Sequence, residues 1–86
     1  MNYRVEWADA ALARLDQIWM ASLDREGVEN AATRIDTELT FNPTEAGESR
    51  GEDFRILFKY PLIVWFHVAQ RIKEVRVLHV RAIRPR

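Results

Sequence analysis

Beyond position 54 the chain sets cations and histidines around one tryptophan, as Arg55, Lys59, Trp65, His67, His79, Arg81 and Arg84. A histidine can move protons near neutral pH, and an arginine can grip a phosphate through paired N–H donors. His79 and Arg81 stand two residues apart and could divide those tasks. Metal-free RNA cleavage needs little more. The 2′-hydroxyl attacks, a base takes its proton, cations stabilise the pentacovalent phosphate, and an acid protonates the leaving oxygen. Trp65 adds an indole for base stacking, which together with guanidinium groups is how single strands are bound. Each residue also has a plainer reading. Trp65 either packs in the core or stacks on a base, and His67 is either a partly buried, hydrogen-bonded histidine or a surface group. His79 either sits in the core beside Leu78 and Val80 or faces outward. Arg84, Pro85 and Arg86 form a short basic tail, most often a solvated terminus.

Other chemistries lack their residues. There are no cysteines, so thiolate nucleophiles, disulfides and cysteine-ligated zinc fall away together. No glycine-rich phosphate loop, H-E-x-x-H or G-x-S-x-G is present. His67 and His79 have only Glu74 as a carboxylate in their half of the chain, so no metal site and no cofactor is expected.

The elements that must carry these side chains follow from periodicity. Tyr3, Val5 and Trp7 alternate with Arg4 and Glu6, which predicts a half-buried strand. From Ala8 the apolar spacing changes to three and four residues, through Ala11, Leu12, Leu15, Ile18, Trp19 and Leu23, predicting a helix that stops near Gly27. A second helix carries Val28, Ala31, Ala32, Ile35 and Leu39 on one stripe and ends at Asn42-Pro43. The short join predicts an antiparallel hairpin. Residues 44–53 hold two glycines and four carboxylates and read as a surface loop. Phe54, Ile56 and Phe58 then alternate with Arg55, Leu57 and Lys59; Tyr60-Pro61 is a turn; residues 62–69 form an apolar run broken by His67; and residues 74–82 are rich in valine. The order is β-α-α-β-β-β, an α+β fold with a helix hairpin on one face of a four-stranded, mainly antiparallel sheet whose other face is partly open. Eighty-six residues suit one domain, spanning 1–86. At the usual density such a domain is stabilised by roughly 4–13 kcal/mol, little enough for a bound partner to matter.

The net charge of zero conceals an asymmetry. Residues 1–53 carry five basic and twelve acidic residues, a net −7, whereas residues 54–86 carry eight basic residues and one acid, a net +7. Either the C-terminal half faces a polyanion or an acidic protein, or acidic helices complement basic strands within one fold. On alternation, Arg55 shares a face with Lys59, and His79 with Arg81; if the two faces coincide, the last three strands bring their cations to the open side of the sheet, with Trp65 and His67 between them. No run approaches the ~18 apolar residues of a membrane span, and the N-terminus has no leader pattern, so a cytoplasmic chain with no membrane partner is expected.

The pattern resembles a known family. Tyr3-Arg4-Val5-Glu6-Trp7, Ala10-Ala11-Leu12 with Leu15, Ala31-Ala32 with Ile35-Asp36, the Asn42-Pro43 stop, Gly47-Glu48-Ser49-Arg50 ahead of Phe54-Arg55-Ile56-Leu57, and Val75-Arg76-Val77-Leu78-His79 together are similar to the RelE/ParE toxin superfamily, over nearly the whole chain. The resemblance implies a toxin held in a heteromeric complex by a cognate antitoxin, with growth arrest when the antitoxin is degraded. It implies one of two targets: the ribosome with its mRNA, or DNA gyrase. For the nuclease branch it matches Arg55 on the strand after the loop and His79 with Arg81 or Arg84 near the chain's end; with the residue reading above, Arg55, His79 and Arg81 are expected as catalytic and Arg50, Lys59, Trp65, His67 and Arg84 as target- or nucleic-acid-binding. Leu57 and Ile63 depart from that branch where basic residues are looked for, and the terminal tyrosine of some members is missing. Ribosome-dependent mRNA cleavage is the first expectation. Gyrase inhibition without nuclease activity and a non-toxic nucleic-acid-binding module are the alternatives. Arg55→Ala and Arg81→Ala are both expected to weaken toxicity while leaving the fold intact.

Overall fold

Alternation at the start of the chain produces a strand, β1 (Arg4–Trp7), with Val5 and Trp7 against the core and Arg4 and Glu6 exposed. The computed structural model describes residues 2–83. Two helices follow, α1 (Asp9–Ala21) and α2 (Arg25–Phe41). The first stops well short of Gly27. Ser22 adopts extended backbone and its hydroxyl accepts the Asp24 N–H at 3.0 Å, while the Asp24 carboxylate accepts the Gly27 N–H at 3.0 Å and caps α2. Gly27 therefore lies in the first turn of the second helix, where any side chain would run into that carboxylate. An aspartate N-cap outcompeted the glycine stop. The second helix ends where Asn42-Pro43 requires.

Among the described residues the sheet has five strands, ordered β1-β5-β4-β3-β2, with β1 parallel to β5 and the other pairs antiparallel. Three of them, β3 (Phe54–Lys59), β4 (Leu62–Ala69) and β5 (Glu74–Ala82), form the expected meander with the apolar run at its centre. The fifth, β2 (Glu48–Ser49), lies inside the stretch that reads as a loop. Gly47, at φ +63°, turns the chain back so closely on β3 that a side chain there would meet the Ile56 carbonyl, and Glu48 and Ser49 then pair with Ile56 and Arg55. A two-residue edge strand leaves no periodic signal.

The core lies between the helices and one face of the sheet. Leu62, Val64, Phe66 and Val68 of β4, Val75, Val77 and Val80 of β5, and Leu57 of β3 meet Ala11 and Ile18 of α1 and Val28, Ala31, Ile35 and Leu39 of α2. Burying an apolar side chain of this size contributes about 1.5–3 kcal/mol. Between Trp65 and Phe66 the ladder slips: Trp65 faces His79 but Phe66 faces Val77, leaving Leu78 as the extra residue of a bulge. Indole hydrogen bonds at the surface tie sheet to helix, from Trp7 of β1 to Asp36 of α2 at 2.8 Å, and helix to helix, from Trp19 of α1 to Glu29 of α2 at 2.8 Å. Among the described residues no helix is long and apolar enough to cross a membrane.

Candidate target-binding surface

Residues opposite one another in a sheet share a face, so register decides which side chains meet on the side away from the helices. On β3 that side carries Phe54, Ile56 and Phe58; opposite them on β4 stand His67, Trp65 and Ile63; beyond these on β5 stand Arg76, His79 and Arg81. The helices leave this face open. Phe54 is 45% exposed and Phe58 56%, His79 and Arg81 are exposed, and Trp65 and His67 are half-buried. Two tilted ring pairs join the strands, Phe54 with His67 at 4.8 Å between centroids and Trp65 with His79 at 5.0 Å. Such aromatic contacts are worth about 0.5–1.5 kcal/mol beyond the area they bury. Trp65 and both histidines thus lie on the side of the sheet away from the core, His79 exposed and Trp65 and His67 half-buried.

The expected convergence of cations fails for β3. Arg55 lies opposite Phe66 and Lys59 opposite Leu62, so both point to the helix side. Lys59 Nζ pairs with Glu38 of α2 at 2.8 Å. The Arg55 guanidinium donates from Nε to the Ala46 carbonyl at 2.8 Å and from Nη2 to the Gly47 carbonyl at 3.2 Å, which binds the loop before β2 to the sheet. The physical reason is that β4 is apolar on both sides, so the core could close over either one. It closed over Leu62, Val64 and Phe66, and the two-residue turn at Tyr60-Pro61 then fixed Arg55 and Lys59 beside them. Arg50 is also apart from the site. It follows edge strand β2, pairs with Glu48 at 3.3 Å, and has the width of β3 and β4 between it and β5. Arg84 lies outside the described residues. The structure therefore brings together Trp65, His67, His79 and Arg81, and places Arg55, Lys59 and Arg50 elsewhere.

The charge of the open face is lower than composition suggests. Arg76 donates to Glu6 of β1 at 2.7 Å, and Arg4 pairs with Glu74 at 3.1 Å across the same two strands. Among the described residues Arg81 has no carboxylate partner. Ion pairs that join the two halves of the chain, Glu38 with Lys59 and Glu6 with Arg76, account for part of the asymmetry by complementation within the fold. Sequence reasoning missed Phe54 and Phe58 as surface groups, because their alternation with Arg55 and Lys59 marked them as the inward side. The turn at Tyr60-Pro61, counted outward in pairs, was the signal that could have corrected this.

No family model and no curated protein matches the chain. Solved structures do. The fold is similar to a chain of a RelBE toxin–antitoxin complex from Mycobacterium tuberculosis, at TM-score 0.78 and 13% identity over 95% of this chain and 92% of that one. It is similar to a chain of the chromosomal ParDE TA system of P. aeruginosa, at TM-score 0.69 and 21% identity over 95% and 97%. The isolated RelE toxin of E. coli matches at TM-score 0.68 and 18% identity over 98% of this chain and 87% of that one. Likeness at such identities concerns architecture, and the architecture is that of the RelE and ParE chains.

Proposed function

We propose that this chain is the toxin component of a type II toxin–antitoxin module, covered by a cognate antitoxin and arresting growth by contact with its target rather than by cutting RNA. The toxin class is supported by the RelE/ParE-like fold together with the residue pattern along the whole chain. The observation that carries the mechanism is the composition of the open face. Phe54, Ile56, Phe58 and Ile63 occupy the positions on β3 and early β4 from which cations would have to reach a phosphate, and the two cations of β3 are engaged on the opposite side. A phosphate gaining charge in a transition state needs donors aimed at it from several directions. With Arg81 alone in place, contact with a protein such as gyrase is better supported than ribosome-dependent cleavage.

The cleavage reading keeps one supporting observation: exposed His79 sits beside Trp65, with Arg81 two residues on along the same face. Induction of the chain in cells separates the two. Loss of DNA supercoiling and a damage response before methionine incorporation falls supports gyrase. The reverse order, with cleaved messenger, supports the ribosome and overturns the proposed mechanism. An adjacent reading frame whose product relieves the arrest is expected; arrest that no neighbouring product relieves counts against the module.

A further inference from the structure

We propose that the open face of the sheet is a docking surface for an acidic, apolar protein segment, anchored by Phe54, Phe58 and Trp65 and held in register by Arg81. This rests on taking that face as the contact with the target, and it names the chemistry of what lies there. Phe54 and Phe58 flank buried Ile56 on one strand, with His67, Trp65 and Ile63 directly across on the next. The result is a continuous apolar strip on two adjacent strands, not scattered exposed residues, and contiguous strips of this kind mark interaction sites.

The charges around the strip select its partner. A nucleic-acid strand needs several unengaged cations to follow its phosphates. Here Arg4 and Arg76 are engaged by Glu74 and Glu6, Glu48 lies on the far edge opposite Ile56, and the face keeps Arg81 opposite Ile63. One guanidinium beside exposed aromatic rings is instead the make-up of a protein-binding hot spot. β3 and β4 carry no acid, and the acids that border the strip, Glu48, Glu6 and Glu74, are paired with Arg50, Arg76 and Arg4, so none meets an incoming carboxylate uncompensated. A partner segment with apolar residues over Phe54, Phe58 and Trp65 and an acidic residue at Arg81 matches both halves of the surface. A basic segment matches only one.

The test is fluorescence anisotropy on the purified full chain with three labelled probes: a peptide rich in glutamate and leucine, its counterpart with lysine in place of glutamate, and an oligouridine. The glutamate peptide is expected to bind at least about tenfold more tightly than either other probe, with F54A/F58A weakening it about tenfold. R81Q is expected to weaken it about threefold and to flatten its modest salt dependence. Circular dichroism checks that the variants fold; F58A alone and R81Q supply the comparison if the double variant does not. Equal binding of the two peptides, or unchanged affinity in F58A and F54A/F58A, overturns the proposal. So does tighter binding of the oligouridine with a log–log salt slope steeper than about −2, which identifies a nucleic-acid face. Growth arrest by the same variants separates this from the functional reading. If F54A/F58A loses the peptide but still arrests growth, the assignment of this face as the target contact falls and the docking surface stands; if it keeps the peptide but loses arrest, the docking surface falls.

Discussion

Arg55 and Arg81 should fail in opposite ways when truncated. Arg55 donates to the Ala46 carbonyl at 2.8 Å in a part-buried setting and to the Gly47 carbonyl at 3.2 Å in an exposed one. A hydrogen bond with a charged donor contributes about 1.5–3 kcal/mol, and the exposed one adds little, so Arg55→Ala is expected to cost about 2 kcal/mol. For a domain of this length each kcal/mol moves the melting midpoint by about 4–8 °C, giving a drop of roughly 8–16 °C. Arg81 is exposed and has no carboxylate partner among the described residues, so Arg81→Ala should cost no more than about 0.5 kcal/mol. Thermal melting followed by circular dichroism measures both. Growth arrest, assayed at a temperature where both variants are folded, should be retained by Arg55→Ala and weakened in Arg81→Ala. Arg55→Lys, which keeps charge but not the two-pronged donor, should recover only part of the lost stability. An Arg55→Ala chain that melts within about 2 °C of the parent yet no longer arrests growth would put Arg55 at the target and refute the reasoning.

Two further variants test the frame that holds the surface. Gly47→Ala forces a side chain into left-handed backbone against the Ile56 carbonyl, and should lower the urea midpoint by an amount equivalent to about 3 kcal/mol or more. Phe66→Ala empties a fully buried site in the central strand at a cost of about 3–5 kcal/mol, so near-ultraviolet circular dichroism should show substantial loss of fixed packing below the parent's melting range.

Much of this architecture is legible in the residue pattern, because the elements that bear on the core repeat at the periods of their own backbones. The helix stripe through Val28, Ala31, Ile35 and Leu39 is buried as spaced, and the apolar run at residues 62–69 is the central strand. What periodicity could not supply is the choice between two sides of a strand. On β3 both Ile56 and Leu57 are buried, one under each face, so hydrophobicity alone pointed Phe54 and Phe58 inward and Arg55 and Lys59 outward. The structure reverses both, because position relative to the turn outweighs the polarity of an edge-proximal strand whose cations find a carboxylate and two carbonyls on the helix side. The parallel partnership of β1 with β5, and the ion pairs it brings, join residues some seventy positions apart and have no local trace. Of the candidate site, the residues on β4 and β5 were found and those on β3 were exchanged for their neighbours.

The surplus residue at Leu78 has a consequence for how this surface can change over time. Strict two-residue phasing from Val75 and Val77 would send His79 and Arg81 under the helices and expel Val80; the slip at Leu78 resets the phase, so one strand lines the interior early and late while lifting His79 and Arg81 to the outside. Exchanges of side chain at those two positions are therefore cheap. Deleting Leu78 would restore plain alternation and keep both faces, whereas deleting Val80 would turn Arg81 inward. The chemistry of the face is free to drift, and its spacing is not.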